Sequence, residues 1–135
     1  MGIRIIIAGI LLITLNAGCK TAKQTGSTDY STREEFVKAY KVAFICGCLN
    51  EGTKEGFKDF MTRSNDLGLF TEAQLISPER VIEADSIGRA FSKQIKPLNY
   101  ADAGDKIPYV SRCITYALGK QVDSLAQKRF KASHQ

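Results

Sequence analysis

Four cysteines, one histidine and scattered carboxylates are the side chains of this 135-residue sequence that could do chemistry. Hydrolytic catalysis of the common kinds needs a base beside a nucleophile, and histidine is the usual base. The sole histidine, His134, is next to last in the chain. A zinc site needs several Cys, His or carboxylate ligands at local spacing. Cys46-Gly47-Cys48 is too tight for the usual ligand pair and has no second half, so no metal is expected. Gly47, Gly52 and Gly56 do not stand between a strand and a helix, as a phosphate-binding loop would require. Glu34, Glu35, Asp85 and Asp123 could supply an acid and a base, but charges on helix faces are usually solvated. The expectation is a protein that is not an enzyme and holds no cofactor.

The first cysteine belongs to a different chemistry. Arg4 precedes an unbroken apolar run from Ile5 to Ile13, and the smaller Thr14-Leu15-Asn16-Ala17-Gly18-Cys19 follows. That is the basic, apolar and cleavage-region order of a secretory signal. The run is about half of the ~20 residues that span a bilayer as a helix. Ala17-Gly18-Cys19 resembles the lipobox, at which a diacylglycerol is attached to the cysteine sulfur and the chain is cut before it. The likeness covers the positions nearest the cut; Asn16 stands where that pattern usually has Leu. Residues 1–18 are therefore expected to be a lipoprotein signal peptide, with Cys19 the lipidated N-terminus of a periplasmic chain anchored to a membrane of the envelope; the alternative is ordinary cleavage after Ala17 or Gly18, which leaves Cys19 a plain thiol. Each buried acyl methylene contributes ~0.8 kcal/mol, so two or more chains anchor stably. The remainder of residues 19–30 is polar, too poor in apolar side chains to offset its ordering entropy, and reads as a flexible tether.

An exported chain meets an oxidising compartment. With Cys19 assigned to lipid, Cys46, Cys48 and Cys113 can form one bridge. Residues two apart on a helix point to different faces, so Cys113 is one partner and Cys46 or Cys48 the other.

The elements that would position these residues are helical. Ser31-Thr32-Arg33-Glu34-Glu35 contains two overlapping capping boxes, Ser31 with Glu34 and Thr32 with Glu35. Phe36, Tyr40, Phe44 and Cys48 then follow at four-residue spacing, a core-facing stripe that favours Cys48 over Cys46 as the partner of Cys113, with Cys46 the alternative. Gly52 ends this helix, and Thr53 to Met61 reads as a second, weaker one that stops by Gly68. A short helical piece near 71–76 precedes Ser77-Pro78, the start of a helix to about Lys96 that presents Val81, Ala84, Ile87, Phe91 and Ile95 inward. Residues 97–108 have no period and two prolines, and should form an exposed connection. Residues 109–118 and 120–130 read as two helices or one kinked helix broken at Gly119, with Val110, Cys113, Ile114, Ala117 and Leu118 facing in. No alternating strand pattern occurs. The expected fold is all-α, a small bundle of four to five helices stapled by one disulfide over residues 31–130, with 131–135 a disordered tail. About 100 residues suit a single small core.

The formal net charge of +5 falls by one without Arg4, and the rest is mixed in sign apart from Lys128-Arg129-Phe130-Lys131. The clustered basic and aromatic stripe of a nucleic-acid binder is missing, so no nucleic acid is expected as a partner. The basic tail reads as a solvated helix end near a membrane surface.

Two segments, Phe36 to Leu49 and Arg112 to Leu125, together resemble the paired cysteine helices of the immunity proteins that protect bacteria against peptidoglycan amidase toxins delivered by type VI secretion. Gly47-Cys48-Leu49 is similar to the family's first cysteine motif, and Cys113-Ile114 with Val122 and Leu125 to its second. Gly119 replaces a frequent serine, Ala117 replaces an aromatic, and Cys46 is extra. The resemblance spans residues 32–130. It implies a small helical envelope protein, often a dimer, that binds an amidase effector and blocks its active-site groove with a protruding loop. Residues 97–108 suit that loop best, with Tyr100, Asp102 and Asp105 as the expected contacts. The alternatives are a structural or ligand-binding envelope lipoprotein with no inhibitory role, and an enzyme using carboxylates.

Overall fold

The computed structural model describes residues 32–65, 68–98 and 106–135. Among these residues six helices and no strand are found: α1 Arg33–Gly52, α2 Gly56–Arg63, α3 Gly68–Ala73, α4 Pro78–Ser92, α5 Tyr109–Ala117 and α6 Lys120–Ser133. The fold is the all-α bundle with one disulfide that the sequence predicts. Individual helices number six because α3 is a single short piece and the chain breaks at Gly119 between α5 and α6.

Of the two overlapping boxes, Thr32 is the cap: its Oγ1 accepts from the Glu35 backbone N–H at 3.2 Å. Ser31 lies outside the described residues. The stripe of Phe36, Tyr40, Phe44 and Cys48 is fully buried. Ala39, Ala43, Cys46 and Leu49 are buried as well, so that α1 is covered on most sides, as a central helix must be. At its end Lys54 and Glu55 both take the left-handed conformation, with φ of 51° and 67°. These two residues end α1 and delay the next helix to Gly56.

The other helices pack around α1 in a definite sense. Tyr40 with Glu83, Gly47 with Asp85 and Phe44 with Phe91 make α4 run parallel to α1. The approach is backbone to backbone. A Cβ on Gly47 would meet the Asp85 carbonyl oxygen at 2.2 Å, and one on Gly88 the Phe44 carbonyl oxygen at 2.1 Å. Helices that cross this closely need a position without a side chain on each.

α5 and α6 together form an antiparallel partner for the whole of α1. Tyr109 lies against Gly52, Cys113 bonds Cys48, Tyr116 stacks on Phe44, Asp123 pairs with Lys41, and Phe130 meets Phe36 edge-on. α5 thus covers the second half of α1 and α6 the first. α6 runs to Ser133, so Lys131 to Ser133, expected as tail, are helical. The packing gives the bundle two ends. One holds the start of α1 and the finish of α6; the other holds the finishes of α1 and α4 and the start of α5. At ~1.5 Å per residue, the 20-residue α1 separates them by ~30 Å.

Candidate functional site

The second of these ends contains the base of the connection 97–108. The backbone N–H of Leu98 donates to the carbonyl of Lys106 at 3.2 Å, which brings the two limbs of the connection together. Tyr100, Asp102 and Asp105, the expected contact residues, lie outside the described residues, as does Cys19. Beneath the base is a cleft of about 240 Å³ between the end of α4 and α5, lined by Phe91, Gln94, Ile95, Lys96, Pro97 and Arg112. Of its lining residues, Phe91 stacks on Tyr116 with ring centroids 3.9 Å apart, and Tyr116 in turn stacks on Phe44.

α5 is fixed to the bundle by a narrow contact. Cys113 and Ala117 are fully buried, and Cys113 is bonded to Cys48 across a Cα–Cα distance of 5.9 Å. Val110, Ile114 and Leu118, expected to face in, are instead 58%, 39% and 70% exposed. The small Cys113 and Ala117 bring the α5 backbone close to α1, and the larger residues on the neighbouring flank are left facing solvent. The result is an apolar stripe at four-residue spacing that starts one residue after the helix start and runs to the break at Gly119. Hydrophobic periodicity alone could not have found it, because an exposed stripe and a buried one give the same pattern; the small residues beside it were the available signal.

Cys46 is buried and free. Burial first, and then the Asp85 carboxylate, push its thiol up to about 11, so it stays protonated and is a packing residue rather than a nucleophile. Of the carboxylates named as acid and base candidates, Asp85 and Asp123 are taken up in ion pairs. Asp85 accepts from Arg89 Nε at 2.7 Å, within a network that joins Arg89 to Glu51 and Glu55. Asp123 accepts from Lys41 Nζ at 2.7 Å and from the Gln127 side chain at 2.6 Å. The Lys41 hydrogen bond holds the Asp123 carboxyl below its usual range. His134 faces the Phe130 carbonyl at 2.9 Å and lies tilted against the Phe130 ring. Among the described residues no group of three His, Cys, Asp or Glu side chains is arranged to hold a metal ion.

A second groove, of about 520 Å³, opens at the other end between α1 and α6, lined by Arg33, Glu34, Val37, Lys38, Lys41, Asp123 and Gln127. Its polar groups satisfy one another: Arg33 donates to Gln127, Lys41 to Asp123, and Lys38 pairs with Glu72 at 3.3 Å. A deeper polar cluster lies under α6, where Arg129 and Arg80 both pair with Glu83. Burial, then Glu83, raises the Tyr40 hydroxyl there above its ordinary range, with Arg129 and Arg80 opposing.

Comparison of the chain with protein-family models, with curated proteins and with solved structures gives no match.

Proposed function

We propose that this chain is an envelope-anchored immunity protein that binds and inhibits a peptidoglycan amidase toxin of the type VI secretion system, held at the membrane by lipid on Cys19. The observation that carries the reading is the Cys48–Cys113 bridge. It joins the two segments on which the family resemblance rests, and it fixes to the central helix the one element that both follows the connection 97–108 and exposes apolar side chains. An inhibitory loop must keep its shape to avoid losing affinity to ordering. The Leu98–Lys106 hydrogen bond and the Phe91–Tyr116 stack favour such a shape at its base. The exposed Val110, Ile114 and Leu118 would add a desolvated contact beside the loop, the kind of surface from which interfaces draw most of their binding energy.

The test is co-expression. A Cys-His peptidoglycan amidase of the type delivered by such systems is exported alone and together with this chain, and growth is followed. Lysis by the hydrolase alone, relieved by this chain, is the expected result. No relief, together with no complex when the two purified proteins are mixed, rejects the immunity reading.

A further inference from the structure

The basic run near the C-terminus is not a frayed tail. Phe130 packs on Phe36, and Arg129 is drawn inward to Glu83, so two of its four side chains are committed to the bundle. The two that remain outward, Lys128 and Lys131, are exposed. At 100° per residue they fall on one face of α6 with Lys120 and Ser124, the line opposite the buried Val122 and Ala126. None of the three lysines pairs with a carboxylate of a described residue, whereas most basic side chains of α1 and α4 do.

The asymmetry extends beyond that face. Residues 106–135 carry six basic side chains, Lys106, Arg112, Lys120, Lys128, Arg129 and Lys131, against the single acidic Asp123. Asp123 is itself taken up by Lys41. The described residues before them hold acidic and basic groups in nearly equal number. The net positive charge of the bundle is therefore concentrated on its C-terminal helices. The start of α1 lies beside this face: Arg33, one residue after the cap, donates to Gln127, and Phe36 touches Phe130.

We infer that the outer face of α6, through Lys120, Lys128 and Lys131, docks on a bilayer surface that carries anionic phospholipid headgroups. Each ammonium near such a surface gains electrostatic energy that falls off within a Debye length, so the contact is weak for a free chain and salt-sensitive. A lipid at Cys19 would raise the local concentration of headgroups next to this face and make the contact persistent. The loop end of the bundle lies beyond this face, roughly half the length of α1, or ~15 Å, from Lys120 at its nearer end. The inference draws on the anchored reading for its setting, but its test uses no lipid on the protein and no toxin.

The lipid-free chain from residue 20 onward, which retains every described residue and the core closed around α1, is co-sedimented with vesicles of phosphatidylethanolamine and phosphatidylglycerol. Vesicles of phosphatidylcholine alone serve as the control. Binding to the anionic vesicles only, abolished in concentrated salt, is expected. Each of Lys120→Gln, Lys128→Gln and Lys131→Gln should lower the partition coefficient about fivefold, and the triple variant about a hundredfold. Two exposed lysines away from this face, Lys54 in the turn after α1 and Lys58 on α2, are the internal control: Lys54→Gln with Lys58→Gln should change it little. All these side chains are solvent-facing, so circular dichroism and melting should not change. Equal binding to both vesicle types, no binding to either, or unaltered binding by the triple variant overturns the inference. So does a preference for a duplex oligonucleotide over the anionic vesicles at equal salt. Toxin rescue without vesicle binding rejects this inference alone, and vesicle binding without rescue rejects only the immunity reading.

Discussion

Gly47 and Gly88 decide how closely the two longest helices approach. Each hydrogen stands where a methyl group would lie within 2.2 Å of a carbonyl oxygen of the opposite helix, and backbone cannot yield as a flexible side chain can. Gly88→Ala should therefore cost about 3 kcal/mol in urea unfolding, although alanine is the better helix former, because overpacking outweighs propensity at this site. A stability equal to or above that of the parent chain would mean that α4 can move away at little cost. Asp123 makes a prediction of the opposite kind, through charge. Its carboxyl is held below the usual range chiefly by the Lys41 hydrogen bond, so the folded state binds that proton less readily than the unfolded chain. The sign follows: its contribution is present above the unfolded value of ~3.9 and is lost as the pH falls through the lower folded value. Asp123→Asn should lower the melting temperature at neutral pH and narrow its difference from the parent chain as the pH falls below that value. A difference that stays constant across the acid range would show that the Lys41 pair does not govern it.

Among the elements, α5 depends most on a single bond. Its buried contact is little more than Cys113 and Ala117, with Tyr116 alongside, and the Cys48–Cys113 bridge closes 65 residues of chain. In the chain-entropy account a loop of that length contributes about 4 kcal/mol. Cys48→Ala with Cys113→Ala should lose about that much in denaturant unfolding, with amide exchange rising first over residues 109–117. Exchange rising equally in α4 would show that α5 is held by more than the bridge. The same element marks where the sequence ceases to be legible. The Phe36, Tyr40, Phe44 and Cys48 stripe could be read because the large residues of α1 coincide with its buried line. On α5 the large residues and the buried line part company. Val110, Ile114 and Leu118 obey the same spacing, yet Cys113 and Ala117 are the side chains that fit against α1, so the reading that turned all five inward holds for those two alone. The α1–α4 contact was hidden for a related reason. A periodicity argument weighs side chains, and Gly47 and Gly88 act by lacking them. The Lys128–Lys131 run read as a solvated helix end, and 131–135 as tail, because four consecutive residues do not reveal that α6 continues to Ser133 and turns two of them inward.

At the level of the whole molecule, the chain direction separates two surfaces of different character. α1 and α4 run together toward the loop end, and α5 followed by α6 returns along α1, so an exposed apolar stripe on α5 follows the loop and unpaired positive charge lies on α6. If the loop end is the inhibitory surface, the α5 stripe can be removed without harm to the fold. Val110→Asn, Ile114→Asn and Leu118→Asn exchange partly or largely exposed side chains on a helix whose buried contacts are untouched, and surface changes of this kind usually fall within about 0.5 kcal/mol each. The melting temperature should stay close to that of the parent chain. Binding to the amidase should fall by at least a hundredfold, because truncating desolvated apolar anchors at the centre of an interface commonly costs ~2 kcal/mol or more each. A triple variant that melts early shows that the stripe supports the fold. One that melts normally and still protects the cell places the inhibitory contact elsewhere, on the connection itself or on another face. Titration calorimetry of the folded variant against the amidase, beside the growth assay, separates these outcomes, because a lost contact appears as weakened binding by a protein with unchanged circular dichroism.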